Sequence, residues 1–157
     1  MKRALLVAAA ALVLGLTSNA ALAKDLPEGG LTIEDIAGWL QDAGYKADVQ
    51  TAKDGSKSIL SPADGTNFYI DVYDCKEDRC ASLQFSLGFD TKGAWNATKM
   101  NEWNSGNRWV RAHVDDKDDP WLDMDVDLSP GGTWEGLTDE FGIYRDMLVS
   151  FKKFINW

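Results

Sequence analysis

Carboxylates are the chemically reactive side chains that cluster most densely in this chain. Seven fall within one turn and the segment that follows it: Asp115, Asp116, Asp118, Asp119, Asp123, Asp125 and Asp127. Side chains alternate along a strand, so the last three share one face. Carboxylate oxygens are ligands for hard cations such as Ca2+, which makes Asp123, Asp125 and Asp127 a candidate weak cation site. The EF-hand pattern fails, because Leu128 and Trp134 stand where it requires glycine and glutamate. The alternative interpretation is a solvated turn and strand face.

The two cysteines, Cys75 and Cys80, stand at the ends of a four-residue polar loop between two segments of alternating apolar residues. This spacing is not the C-x-x-C of a redox enzyme, and no second pair completes a zinc site. We therefore predict a structural disulfide that staples a β-hairpin, with a redox or metal role as the alternative. On the chain-entropy model, closing so short a loop contributes roughly 2 kcal/mol.

The sequence offers no catalytic constellation. His113 is the only histidine, and on its predicted strand it shares a face with Trp109 and Arg111. A triad would need a nucleophile and an orienting acid, and neither a G-x-S-x-G elbow nor a glycine-rich phosphate loop occurs. We therefore expect no enzyme, no catalytic residue and no cofactor. We expect the seven tryptophans mostly to fill the core, with an exposed aromatic patch for a partner as the alternative.

The N-terminus has the pattern of a secretory signal peptide over residues 1–23. Lys2 and Arg3 precede an apolar run over 4–16, and Ala21-Leu22-Ala23 forms a small-x-small cleavage site. We expect cleavage after Ala23 and a periplasmic protein, with an uncleaved anchor as the alternative. Cleavage would remove two of the 16 basic residues and none of the 25 acidic ones, leaving a net charge of −11. Such a surface repels nucleic acid and anionic lipid, and no later apolar run approaches membrane length, so we expect no nucleic-acid partner and no membrane insertion.

Periodicity along the remaining chain predicts a flexible leader over 24–30 and one domain over 31–157. A helix capped by Thr32 and Asp35 ends at Gly44. Further helices are expected over 92–105 and from Thr133 to Ile155, and strands over 45–53, 57–61, 68–72, 83–89, 108–115 and 121–128. The order α-β-β-β-β-α-β-β-α indicates an α+β fold, an antiparallel β-sheet with helices packed on one face.

Several segments, in this order, resemble the YbjN family. They are Asn101-Glu-Trp103-Asn104, Arg108-Trp-Val-Arg111-Ala, Leu122-Asp-Met-Asp-Val-Asp-Leu128 and Gly131-Gly-Thr133. The Cys75…Cys80-x-x-Leu-Gln-Phe85 hairpin resembles the exported members of that family. The similarity runs from about Thr32 to Trp157, and the residues that carry the family motif are Asn101, Trp103, Asn104, Arg108 and Arg111.

The resemblance implies a bacterial sensory transduction regulator with a fold similar to that of type III secretion chaperones. Those chaperones are small, acidic and often dimeric, and they bind extended segments of other proteins. It therefore implies a protein or peptide partner and suggests a homodimer, and it supplies no enzymatic residues. Within the motif we expect Trp103 to pack inward and Asn104, with Gly106, to end the second helix.

The functional expectation is an exported, non-enzymatic protein- or peptide-binding domain with a chaperone-like or regulatory role. Such a domain would bind its partner on a sheet face or edge left open beside the helices. The alternative is a divalent-cation-binding or envelope stress protein that uses the acidic segment from Asp115 to Asp127. A hydrolase is the third hypothesis, and it would need a cleft with a strongly shifted carboxylate pKa.

Overall fold

The structure is a computed structural model that describes residues 23–157. Three helices and six strands follow one another in the expected order. They are α1 (Ile33–Asp42), β1 (Asp48–Thr51), β2 (Lys57–Ala63), β3 (Thr66–Lys76), β4 (Arg79–Gly88), α2 (Ala97–Gly106), β5 (Arg111–Val114), β6 (Pro120–Asp127) and α3 (Trp134–Ile155). The α+β prediction is confirmed.

All six strands form one antiparallel sheet in the order β1-β2-β3-β4-β6-β5. Only the last two strands depart from chain order, because β6 pairs with β4 and leaves β5 outside it. The register aligns Ile59, Ile70, Phe85 and Met124 in one row across four strands. These four residues are buried, so the register assigns every second residue of each central strand to the core face.

The three helices pack on this core face. Apolar residues three and four apart give α3 a continuous buried stripe, which consists of Leu137, Phe141, Tyr144, Leu148, Phe151 and Ile155. The Tyr144 ring stacks on Phe85 at 5.3 Å, and Phe141 meets Trp39 of α1 edge to face at 5.6 Å. Trp103 of α2 meets Phe151 in the same way at 5.1 Å. The aromatic rings thus join all three helices to one core.

The signals that begin and end α1 act as the sequence predicts. Thr32 and Asp35 form a reciprocal capping box, and each satisfies a backbone N–H that a helix leaves without a partner. At the other end, Gly44 has a φ of +88°, a left-handed conformation that glycine adopts without a steric penalty. The chain reverses there, and Tyr45 N donates to Leu40 O at 3.0 Å.

Two predicted boundaries are wrong for local reasons. The second helix begins at Ala97 rather than at position 92, because Lys92 and Gly93 both have positive φ and Asn96 provides the N-cap. The fifth strand begins at Arg111 rather than at position 108, because Trp109 has a φ of +76°. A left-handed residue breaks the extended backbone that pairing requires.

The segment over 24–30, predicted to be a flexible leader, is instead docked on the domain. Leu26 is buried, and its N–H donates to Gly132 O at 2.8 Å. Trp134 N donates to Lys24 O, and Leu31 exchanges two backbone hydrogen bonds with Cys80. The polar composition misled the prediction because one buried leucine and backbone pairing are enough to order a short segment.

The predicted signal peptide lies outside the described residues except for Ala23, so its cleavage stays a prediction. No helix within residues 23–157 has the length and apolarity needed to cross a membrane.

Candidate functional site: the open face of the sheet

The sheet surface opposite the core face has no helix packed over it in the described part of the chain. The alternation that buries one set of strand residues places the other set here. We call this surface the open face. It is formed by Leu60, Tyr69, Asp71, Tyr73, Ser82, Gln84, Ser86, Arg111, His113, Trp121, Asp123, Asp125 and Asp127. Four carboxylates and several aromatic rings thus lie on one surface.

Asp123 is the most deeply buried charge of the open face. Its side chain is 5% exposed, and Arg111, directly opposite on β5, donates from Nη2 to Oδ2 at 2.7 Å. His113 Nδ1 lies 3.2 Å from the same oxygen but is not aligned for a hydrogen bond. The bond from Asp123 raises the pKa of Arg111. The ion pair therefore joins the edge strand to the centre of the face.

Asp71 lies across β4 from this pair, on β3. Its carboxylate accepts a hydrogen bond from Ser86 Oγ at 3.2 Å. Burial raises the pKa of Asp71, and the charge of Asp123 adds to the effect. Burial also raises the pKa of Tyr73, with contributions from both carboxylates and from Asp125. The centre of the face therefore carries more negative charge than its own cations neutralise.

Asp123, Asp125 and Asp127, the candidate cation site, share one face of β6 as the alternation predicts. Asp123 is paired with Arg111, Asp125 accepts a hydrogen bond from Gln84, and Asp127 is exposed opposite Ser82. Among residues 23–157, no group of three or more His, Cys, Asp or Glu side chains is arranged to hold a metal ion. The three aspartates extend along a strand, and each meets a different neighbour.

The aspartates of the preceding turn build the turn itself. Asp119 accepts from Thr91 N at 2.7 Å, from Thr91 Oγ1 at 2.9 Å and from Gly93 N at 3.3 Å. Asp115 accepts from Lys117 N and Asp119 N. These bonds favour the charged form and lower the pKa of both carboxyls. Half of the acidic turn is therefore structural.

Trp121 covers one end of the open face. Its ring lies against the Cα of Gly88, where an added Cβ would collide with it, and His113 stacks on it at 6.4 Å. Its indole N–H donates to Asp115 Oδ2 at 3.3 Å. Glycine is needed at position 88 because a neighbouring ring occupies the space of a side chain.

The family-motif residues have distinct positions. Trp103 is buried and α2 ends at Gly106, both as predicted. The capping residue is Asn107 rather than Asn104, and the Asn107 amide donates to Trp103 O. Asn104 instead makes two hydrogen bonds with the backbone of Ala112, accepting from N at 2.8 Å and donating to O at 2.9 Å. Its amide replaces a neighbouring strand on the outer edge of β5.

The other motif residues lie nearer the surface. Arg111 supplies the ion pair with Asp123. The guanidinium of Arg108 stacks over the exposed Trp109 ring at 4.8 Å, and Asn101 is exposed on α2. The motif thus supports the edge of the sheet and one charge of the open face.

Cys75 and Cys80 form a disulfide and lie directly opposite one another on β3 and β4. Cys80 is buried and its backbone pairs with Leu31. The bridge therefore closes the hairpin at the point where the segment before α1 docks.

The sequence prediction missed Asp71, Tyr73 and Gln84. Their signal was available, because strand alternation placed Ser82, Gln84 and Ser86 opposite the apolar residues of β4. The sequence pattern did not provide the strand order, and Asp71 and Asp123 are neighbours only because β4 lies between β3 and β6.

Comparison with known proteins supplies one relationship. The YbjN family model, described as "Putative bacterial sensory transduction regulator", matches residues 32–156. No curated protein matches the chain. The family match covers almost all of the described domain, and the chain therefore belongs to the YbjN family.

Proposed function

We propose that this protein is an exported, non-enzymatic regulatory domain whose open face binds a cationic, extended segment of another protein. The observation that carries the proposal is the helix-free sheet surface on which four carboxylates and the exposed Tyr73 ring lie with a single arginine. The family description supports a regulatory role. The disulfide supports export, because disulfides persist in oxidising compartments.

Charge and ring placement define the class of partner. Asp125 and Asp127 are exposed, and Tyr73 is 47% exposed on the same face. Arginine side chains bind carboxylates bidentately, and both arginine and lysine are attracted to the faces of aromatic rings. An extended segment rich in basic residues satisfies both kinds of group. A net charge of −9 over the whole chain also attracts such a segment at long range.

The polar groups of the open face do not form a nucleophile with its base. Ser86 is buried, and its hydroxyl donates to Asp71. His113 Nδ1 lies beside the carboxylate of Asp123, and no hydrogen bond joins His113 to Ser86 within residues 23–157. A serine nucleophile needs a histidine within hydrogen-bond reach. This arrangement supports binding rather than hydrolysis.

The test is a titration of the protein, residues 24–157, with fluorescent peptides of equal length that are basic, neutral or acidic. We expect only the basic peptide to bind, with affinity that falls as salt screens the charges. Asp125→Asn with Asp127→Asn should weaken binding about tenfold, since exposed ion pairs contribute about 0.2–1 kcal/mol each and about 1.4 kcal/mol is a factor of ten. The matched control, Asp116→Asn with Asp118→Asn, removes the same charge from the exposed turn and should have little effect.

Binding that ignores peptide charge, or equal losses in the two double variants, would count against the open face as the site. Export is tested separately. Fractionation of cells followed by N-terminal sequencing should find the protein in the periplasm and beginning at Lys24. Recovery of an uncleaved cytoplasmic protein would remove the export part of the proposal.

A further inference from the structure

The β6 strand has an unpaired edge beyond Asp123. The β5–β6 ladder ends at the pair Arg111–Asp123, whereas β6 continues to Asp127. Trp109, with a φ of +76°, interrupts the extended backbone just before this point, and no described residue before Arg111 pairs with β6. The last four residues of β6, from Met124 to Asp127, therefore pair with β4 on one side only.

The hydrogen-bonding pattern identifies the backbone groups at this edge. Asp115 N donates to Asp119 O across the turn, so odd-numbered residues of β6 direct their N–H and C=O groups toward β5. Leu128 N donates to Ala81 O, which is consistent with even-numbered residues facing β4. Asp125 and Asp127 therefore direct both backbone groups outward. No described residue hydrogen-bonds to these groups.

The outer edge of β5, unlike that of β6, is blocked by a side chain. Asn104 occupies the outward N–H and C=O of Ala112 with two hydrogen bonds. Native sheets cover or shorten their edges, because an exposed edge pairs with other chains. Here one edge is blocked by a side chain, and the neighbouring edge of β6 is left open.

A cavity of about 370 Å³ lies beside the open edge of β6. Its wall combines the end of β6 with the first turns of α3, and includes Val126, Leu128, Gly132, Gly136, Leu137 and Glu140. No β4 residue lines it, which places it on the free side of β6. Three glycines, Gly131, Gly132 and Gly136, line it and leave room for small side chains.

We propose that an extended segment of another protein adds to the sheet at this edge as a seventh, antiparallel strand. Lysine or arginine at alternate positions faces Asp125 and Asp127 on the open face. The residues between them are small or apolar and face the cavity. The inference rests on the proposed function and specifies how the cationic segment is held.

The geometry of antiparallel pairing determines which residues of the added segment are basic. Cross-strand neighbours in an antiparallel pair have Cβ atoms about 4.5–5.5 Å apart, so a basic residue opposite each aspartate is within reach of its carboxylate. Asp125 and Asp127 point their backbone groups at the added strand, so the residues opposite them exchange both hydrogen bonds. The basic residues of the segment therefore supply the backbone N–H groups, and the apolar residues between them do not.

The test uses a short capped peptide of alternating lysine and valine and two N-methylated versions with the same composition. Methylation of the lysine N–H groups should weaken binding at least about tenfold, because these groups donate to β6. Methylation of the valine N–H groups should change affinity by less than about threefold. Peptide binding is measured by fluorescence anisotropy with the protein, residues 24–157.

A protein variant tests the same edge from the other side. Asp127→Pro removes an outward N–H, which proline tolerates at an edge, and Asp127→Asn removes the charge alone. We expect Asp127→Pro to weaken the parent peptide clearly more than Asp127→Asn does. Circular dichroism checks that the proline variant folds, and the methylated peptides decide the question if it does not.

The possible failures can be told apart. Equal affinity of the two methylated peptides would overturn strand addition while leaving charge-directed binding to the open face. No affinity for the parent peptide would overturn both proposals. A protein dimer that Asp127→Pro converts to a monomer in sedimentation would show that a second copy occupies the edge, and would also overturn the inference.

Discussion

Replacing Arg111 with alanine tests whether the charge at the centre of the open face depends on its one arginine. Asp123 is 5% exposed at its side chain, and Arg111 is the only guanidinium that contacts it among the described residues. The substitution leaves a buried carboxylate whose nearest remaining basic side chain is His113, with Nδ1 at 3.2 Å and no hydrogen bond between them. We expect the folded state to become less stable.

The magnitude follows from the exposure of the two partners. Breaking a fully buried ion pair costs about 3–5 kcal/mol, whereas exposed pairs contribute about 0.2–1 kcal/mol. Here the carboxylate is buried but the arginine side chain is 65% exposed, so water screens part of the attraction. We therefore expect Arg111→Ala to cost about 2 kcal/mol near neutral pH, between the two limits.

The assay is urea unfolding followed by tryptophan fluorescence near neutral pH. The loss is measured as a lower midpoint urea concentration at an unchanged slope.

Two variants serve as controls. Arg145→Ala breaks the exposed pair with Asp64 and should cost less than about 1 kcal/mol. Combining Arg111→Ala with Asp123→Asn removes the orphaned charge and should recover part of the loss. The reasoning would be refuted if Arg111→Ala cost no more than Arg145→Ala, or if Asp123→Asn recovered none of the loss.

Three further predictions concern groups around the open face. Burial raises the pKa of Asp71, so its charged form is disfavoured in the folded state, and stability is lost as pH rises through the folded pKa. Asp71→Asn should therefore raise Tm at pH 7, and this gain should vanish below the ordinary pKa of 3.8. Equal Tm values for Asp71→Asn and the parent protein across this pH range would contradict the prediction. Gly88→Ala should displace the Trp121 ring and cost about 1–3 kcal/mol, detected by urea unfolding and a changed near-UV spectrum; an unaltered spectrum would argue against the contact. Asn104→Ala leaves a buried N–H unpaired and should cost about 1–3 kcal/mol, with faster hydrogen exchange at Ala112 as the specific readout and unchanged exchange as the contrary result.

The element order and the core were open to prediction because they depend on local periodicity. Leu137, Phe141 and Tyr144 repeat at helical spacing, and all are buried. The alternation of apolar and polar residues on β4 likewise assigned each side chain to the correct face of the sheet. The boundaries that failed, at Lys92 and Trp109, depend on left-handed residues that are not glycine. Such conformations are imposed by the surrounding structure rather than by the residue type.

In the candidate site, too, some features follow from the local sequence pattern and others from the strand order. Strand alternation alone indicates that Asp123, Asp125 and Asp127 share a face, because it depends only on the two-residue period of a strand. Alternation cannot tell which strand lies beside β6, and the strand order sets the partners of these aspartates. The placement of β4 between β3 and β6 brings Asp71 near Asp123 and gives Asp123, Asp125 and Asp127 different neighbours.

The sequence by itself determined the fold class, the hairpin with its two cysteines, the N-caps of α1 and α3 and the family, since each depends on residues close together in the chain or on a pattern of motifs. Only the tertiary structure decided that the leader docks, that Asn104 pairs with an edge strand, and that β5 pairs with only part of β6. Those outcomes depend on contacts between residues distant in sequence, where backbone pairing and burial override local composition. The open edge of β6 belongs to this second group, because it exists only where one strand ends before its neighbour does.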